Sequence, residues 1–285
     1  MNEATAFVPG HLSGFSGVHR VDDPTAAGAR GGGIVVSEGV RVTVRPTGGD
    51  ELVVELNGEP VEFEAVSRVL GALRVPGARV EAETHLVPGA GFGLTGAVAL
   101  GAALAANAVF DRVLSEDELL TVAHGAEVQA GTGLGDVVAG ARGGVPLRLE
   151  PGGPAHNRTD GIPARGRVEY LTLDGLLEID AELPPPEASD LRSGAAGRAL
   201  SAVVSEPTPP VFMRASRRFA READLLTDEL RETVEAVSRA GGEAAVAAGG
   251  PTVFALDSGL SDAGYDPEIT EIDPAGARMV PRNGD

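Results

Sequence analysis

The chain has 285 residues, 42% of them hydrophobic and 23% charged, with no cysteine and a formal charge of −19. That length is enough to bury a core in one large or two ordinary domains, and the missing thiols exclude a disulfide framework, a cysteine nucleophile and a zinc–thiolate centre. All 23 basic residues are arginine, and a chain this acidic repels nucleic acid and anionic membranes, so neither is expected as a partner.

Along the chain, the opening MNEATAFVPG has no basic stretch followed by an apolar run, so no signal peptide is expected. His11, in Pro9-Gly10-His11-Leu12-Ser13-Gly14, reads as a polar group on an N-terminal loop, and Arg30 lies in the glycine-rich turn GARGGG. From Ile34 to Glu64 the pattern is that of strands. Val40, Val42 and Val44 alternate with Arg41, Thr43 and Arg45, and Asn57-Gly58 predicts a hairpin turn. A helix over 64–74 and a strand from Arg79 to Leu86 follow. A Pro/Gly turn then feeds an Ala-rich helix over 94–110, which is too weakly apolar to span a bilayer. Ser115 with Glu118 three residues on predicts a capping box opening a helix that stops at Gly131. The stretch from Glu150 to about Arg165 is dense in Pro, Gly, Asn and Asp and reads as a linker. Beyond it the pattern predicts strands near 166–173 and 176–183 and helices near 187–205, 210–223 and 227–240. Strands near 251–256 and 269–280 complete the reading. Two α+β halves follow, residues 1–155 and 156–285.

The exceptions to the average charge mark the candidate site. Residues 84–110 contain no Asp, Glu, Lys or Arg, so this segment should be buried or face something negative. Within it, Gly89-Ala90-Gly91-Phe92-Gly93-Leu94-Thr95-Gly96 joins a strand to an apolar helix. Glycines let backbone approach an anion, the free amides of a helix N-terminus point at it, and the Thr95 hydroxyl can reach a phosphate oxygen or Mg²⁺. It is no Walker loop, which requires lysine. Glu127 falls within the apolar stripe of its helix, where a carboxylate is unfavourable unless it meets a cation. The turn Gly131-Thr-Gly-Leu-Gly135 presents Asp136 at the start of a further helix. Two carboxylates flanking a glycine turn suggest a metal ligand and a base. His19, His85, His124 and His156 show no ligand spacing. Arg214, Arg217, Arg218 and Arg221 form a basic helix face expected to pair with Glu222, Asp224 and their neighbours.

Taken together, these segments resemble the GHMP kinases, small-molecule kinases that lack a Walker loop. Val8-Pro9-Gly10-His11 is similar to the family's first motif and Gly91-Phe-Gly-Leu-Thr-Gly-Ala to its second. Ala244 to Leu256 stands in the place of the glycine-rich third. AEVQAGTGLGDVVAGARGG and GGPTVFAL carry the likeness furthest. The resemblance implies a two-domain α+β fold with the active site in the cleft, and ATP-dependent transfer to the 4-hydroxyl of pantoate in coenzyme A biosynthesis. Mevalonate, homoserine or shikimate are the alternative acceptors, and a non-catalytic nucleotide binder is the other class. It further implies that Gly89 to Gly96 wrap the ATP phosphates, that Thr95 and Glu127 hold Mg²⁺, and that Asp136 takes the proton of the attacking hydroxyl. His11, Ser13 and Arg30 are the expected pantoate contacts. Leu94 replaces the first serine of the second motif, and His11 stands where many relatives carry lysine, which leaves Arg20 or Arg30 to supply the missing cation. The composition suits a halophilic archaeal cytoplasm, where the Debye length in molar salt is about 3 Å. A homodimer is the expected assembly.

Overall fold

The computed structural model describes residues 2–175 and 186–281; the strand expected over 176–183 lies outside the described residues. Two long strands, β1 (Ala4–His19) and β2 (Gly28–Pro46), pair antiparallel along most of their length and form the spine of the molecule. β3 (Leu52–Leu56) and β4 (Glu59–Pro60) make the hairpin expected at Asn57-Gly58. Helix α1 (Glu64–Ala72) and strand β5 (Ala78–Thr84) follow, with β5 seated between β2 and β3. Then come α2 (Leu94–Val109), α3 (Glu116–Ala130) and the short α4 (Asp136–Arg142). β6 (Val145–Glu150) pairs with β2, and β7 (Arg158–Ile162) pairs with β6.

β8 (Arg167–Thr172) belongs to the second sheet; α5 (Pro186–Ser205) packs against β1 and β2 of the first sheet, and α6 (Pro209–Glu222) and α7 (Asp228–Arg239) pack against strands of the second. β9 (Ala244–Val246), β10 (Thr252–Leu256), the single turn α8 (Gly259–Asp262), β11 (Glu268–Glu271) and β12 (Arg278–Met279) end the described chain. The first sheet runs β12-β1-β2-β5-β3-β4 with β6 and β7 attached through β2, and only β3 and β5 are parallel within it. The second runs β11-β8-β10-β9, all antiparallel.

Four expectations change. The proline- and glycine-dense segment after Glu150 is not a linker, because β7 lies in it and hydrogen-bonds to β6. The change of sheet therefore falls between Ile162 and Arg167. The last predicted strand is two short ones that part company, β11 joining the second sheet and β12 returning to β1 of the first. His11 stands on strand β1 rather than in a loop. Pro9, Gly10 and Gly14 are absorbed by irregularities in the β1–β2 register between Pro9 and His11 and between Ser13 and Phe15. Such bulges bend a strand and re-aim its side chains. Arg30 likewise sits in β2, opposite Gly17.

The uncharged segment is buried as its composition requires: from Leu94 to Ala103 every residue of α2 is buried. Its Ala and Gly residues let it lie close on β1 and β2, since a Cβ at Gly101 would come 2.5 Å from Val42. A second cluster joins the two sheets through Leu12, Phe15 and Ile34 on one side and Phe212 and Phe254 on the other. The Phe15 and Phe212 rings stand 5.7 Å apart. The two halves thus share a core, and the strand carrying His11 runs through it. No helix among the described residues is long and apolar enough to cross a membrane.

Candidate active site

The glycine turn is held from three sides. From β1, the His11 amide donates to the Phe92 carbonyl at 3.0 Å. From the first residue of β10, just after the β9–β10 turn, the Thr252 hydroxyl donates to the Ala90 carbonyl at 2.7 Å. Gly250 packs directly on the Ala90–Gly91 peptide, so a methyl group there would collide with backbone rather than with a side chain that could move. Ala248 ties the same turn to β1 by donating its amide to the Ser13 carbonyl at 2.7 Å. Gly250→Ala should therefore cost about 1–3 kcal/mol of unfolding free energy, read from the urea midpoint. An unchanged midpoint would show that the two turns do not brace each other.

Both suspected carboxylates reach this turn. Gly93 caps α2 in the left-handed conformation with φ 64°, which favours glycine. A Cβ on it would sit 2.8 Å from that of Asp136. Gly96, in the first turn of α2, faces Glu127, and a Cβ there would lie 2.8 Å from both carboxylate oxygens. Gly93 and Gly96 therefore leave room for the two acids, and Gly133 does the same on the far side of Glu127. Asp136 is the first residue of α4, not its cap. No side-chain cap bond forms there, and the carboxylate instead accepts from His11 Nδ1 at 2.7 Å.

The electrostatics separate the two acids. Glu127 is 1% exposed, and its Oε2 has no hydrogen-bond partner. Burial, followed by the nearby charge of Asp136, pushes its carboxyl well above the usual range. Asp136 goes the other way. Burial acts to raise it, but the hydrogen bond from His11 and the charge of Arg148 outweigh that and hold it below the ordinary value. Its side chain stays 27% exposed, so a ligand can reach it. Burial lowers His11 despite Asp136, which leaves the imidazole neutral at pH 7. Because an ionised carboxylate only accepts, the proton sits on Nδ1, and the buried Nε2 has no partner.

The cation of the site is Arg148, which the sequence reading missed. It lies on β6, 3% exposed, opposite Gly31 of β2. Its Nε donates to the Ala29 carbonyl at 3.2 Å, while its Nη1 has no partner. Burial pulls its guanidinium down and Asp136 opposes this. A Cβ at Gly31 would lie 3.0 Å from Arg148 Nη2, and one at Gly135 would lie 2.7 Å from Nε, so glycines again make the space. Side chains alternate along a strand, so Arg30 points away from the face where Gly31 meets Arg148. Arg30 is exposed and ion-paired to Glu150, and Arg20 is also exposed. Neither fills the place of the missing lysine. Ser13 is buried on β1. His124, dismissed on spacing, is fully buried one turn before Glu127. Its Nε2 donates to the Ala27 carbonyl at 2.8 Å, and Nδ1 is unpartnered.

Among the described residues no three His, Asp or Glu side chains converge as a self-sufficient metal site. The donor set is one buried, half-unsatisfied carboxylate beside a helix N-terminus that carries Thr95. Such a set suits a cation whose remaining ligands come from a bound anion.

Comparison with known proteins agrees with this geometry. Residues 62–144 match the N-terminal domain of the GHMP kinases. A pantoate kinase of Methanospirillum hungatei is 31% identical over 269 residues, covering 90% of this chain and 88% of that protein. A pantoate kinase of Thermococcus kodakarensis is 31% identical over 80% of this chain and 78% of its own. A solved structure described as a phosphotransferase related to the CoA biosynthesis pathway superposes with a TM-score of 0.87 at 27% identity, covering 99% of this chain and 100% of that one. The turn that gathers Asp136, Glu127 and Thr95 lies inside the matched segment, and the chain belongs to the GHMP kinase family.

Proposed function

We propose that this kinase transfers the γ-phosphoryl group of ATP to the 4-hydroxyl of pantoate, giving 4-phosphopantoate for coenzyme A biosynthesis. The observation that carries the reading is the Asp136–His11–Arg148 cluster set against the glycine turn at Gly93. It is supported by two pantoate-kinase relatives, each matched over at least 80% of this chain.

In this reading the amides of Gly89 to Gly96 and the N-terminus of α2 bind the phosphates, which a lysine-free loop can do only through backbone and dipole. Glu127 and the Thr95 hydroxyl would hold Mg²⁺, and the unpartnered Glu127 Oε2 is the atom that fits it. Bound there, the metal supplies charge neutralisation at the phosphate oxygens. Asp136 accepts a hydrogen bond from the pantoate hydroxyl and aims its oxygen at the γ-phosphorus. The new O–P bond forms as the bond to the β-phosphate bridging oxygen breaks, ADP leaves, and the hydroxyl proton passes to Asp136. Because His11 and Arg148 keep this carboxylate ionised, it is a weak base. It serves chiefly to orient the nucleophile and takes the proton late, as a loose transition state allows.

The Arg148 Nη1 is offered to the pantoate carboxylate, a role that Arg30, paired to Glu150, does not fill. Arg148→Lys keeps the charge and loses the fork, so it should raise the KM for pantoate about tenfold or more while leaving the KM for ATP close to wild type. Equal effects on both would remove Arg148 from the pantoate side. No pantoate-dependent ADP release from the wild-type protein would remove the substrate. The charge of −19 carried without a lysine supports a salt-rich cytoplasm as the working environment.

A further inference from the structure

The basic helix face lies apart from the residues that build the active site. Arg214, Arg217, Arg218 and Arg221 of α6 face Arg231 of α7 across a cavity of about 450 Å³, whose wall also includes Leu226, Val234, Glu235 and Ser238. Five arginines and one glutamate give the lining a formal +4 in a chain whose total is −19. The pairing expected for this face is only partly made. Arg218 is paired with Glu222, Arg217 with Glu243 at 3.5 Å and the Ser238 hydroxyl at 2.7 Å, and Arg231 with Asp228 at 3.4 Å. Among the described residues Arg214 and Arg221 have no carboxylate partner, and Asp224 has no arginine partner. The two arginines are exposed and seven residues apart, hence on one side of α6 and about 10 Å apart along its axis. On α7, Arg231, Val234, Glu235 and Ser238 recur at helical spacing and form the opposite wall.

We infer that the α6–α7 groove is a second anion site, built for a small ligand that carries two or more linked phosphates. Guanidinium groups recognise phosphate through paired N–H donors. Two uncommitted guanidiniums about 10 Å apart along one helix favour a ligand with charge at more than one point over a single phosphate. The volume lies within the range of about 300–1,000 Å³ typical of small-molecule sites. Leu226 and Val234 give the groove an apolar strip between its charges. A nucleic acid would meet the −19 of the whole chain, whereas a small polyanion meets only the groove.

The test is calorimetric titration of the intact protein with inorganic tripolyphosphate, with orthophosphate in parallel, at the lowest salt in which the fold persists. Hydrogen–deuterium exchange locates the bound anion. The wild type should bind tripolyphosphate more tightly than orthophosphate and show slowed exchange over 209–222 and 228–239. Arg214→Ala/Arg221→Ala should weaken that binding about tenfold or more and abolish the protection, with the unfolding midpoint and basal ATP turnover unchanged. Protection confined to residues 88–96 in the wild type, or equal affinity and protection in the double variant, would overturn the assignment. Both readouts are independent of the alcohol that the kinase phosphorylates.

Discussion

Asp136→Ala is expected to lower pantoate-dependent turnover by about 10²- to 10⁴-fold while the KM for ATP stays near its wild-type value. Of the two acids at the glycine turn, Asp136 is the one partly open to a ligand, and its contacts hold it rather than any cap or fold-defining bond. Removing it takes away the group that orients the hydroxyl but leaves the amides of the turn and the Glu127–Thr95 pair in place. Asp136→Asn is the sharper control, because the amide oxygen can still accept from His11 while the charge is gone. Turnover near wild type in the Asn variant would assign Asp136 to architecture alone. The His11 bond has its own consequence. With it removed, as in His11→Ala, the Asp136 carboxyl should rise, and the acidic limb of the rate profile should move to higher pH.

Glu127→Gln should have effects of opposite sign on stability and on activity. In the wild type, burial leaves one carboxylate oxygen without a partner and raises the carboxyl well above its unfolded value. A raised carboxyl means that the folded state holds its proton where the unfolded state has released it. Stability from this group is therefore intact below the unfolded value near 4.5 and is lost as pH climbs toward the folded one. The glutamine variant does not pay this penalty. Its Tm should exceed that of the wild type by about 2–6 °C near neutral pH, taking about 1–3 kcal/mol for a buried unsatisfied group. That gap should widen as pH rises. Activity should fall about 10²-fold or more, because the neutral amide is a poor ligand for a divalent cation. A Tm gap that stays constant with pH would show that Glu127 does not titrate as its surroundings dictate. Retained activity would separate it from the metal.

Local chemistry decided which parts of this molecule could be read in advance. The Ser115–Glu118 capping box is present with both of its bonds, and α3 stops at Gly131 in the left-handed conformation, because cap and stop are set by residues within one turn. The uncharged run around α2 and the position of Glu127 in an apolar stripe both announced burial, since a charge has no neutral place to hide in such a segment. β1 was hidden because its Pro and Gly residues signal a loop, and only long-range pairing with β2 shows that bulges absorb them. Arg148 was hidden for a related reason. An arginine in VPLRLE reads as the outward position of an alternating strand, and its burial depends on the glycines at 31 and 135 contributed by distant segments. An arginine inside an apolar run just after Gly143-Gly144 was the available clue. Arg30, which sits among glycines and drew attention for that, turns to the exposed face of the neighbouring strand β2.

Asp136 is proposed to direct the 4-hydroxyl of pantoate at ATP, and phosphorus NMR of the product tests this most directly. The purified protein would be given ATP, Mg²⁺ and an equal mixture of pantoate, homoserine, mevalonate and shikimate, in parallel with the Asp136→Asn variant. One new phosphomonoester is expected, coupled to the protons on C4 of pantoate and formed in step with ADP, and almost none with the variant. A phosphoester on another alcohol, or the pantoate ester formed equally by the variant, would contradict this.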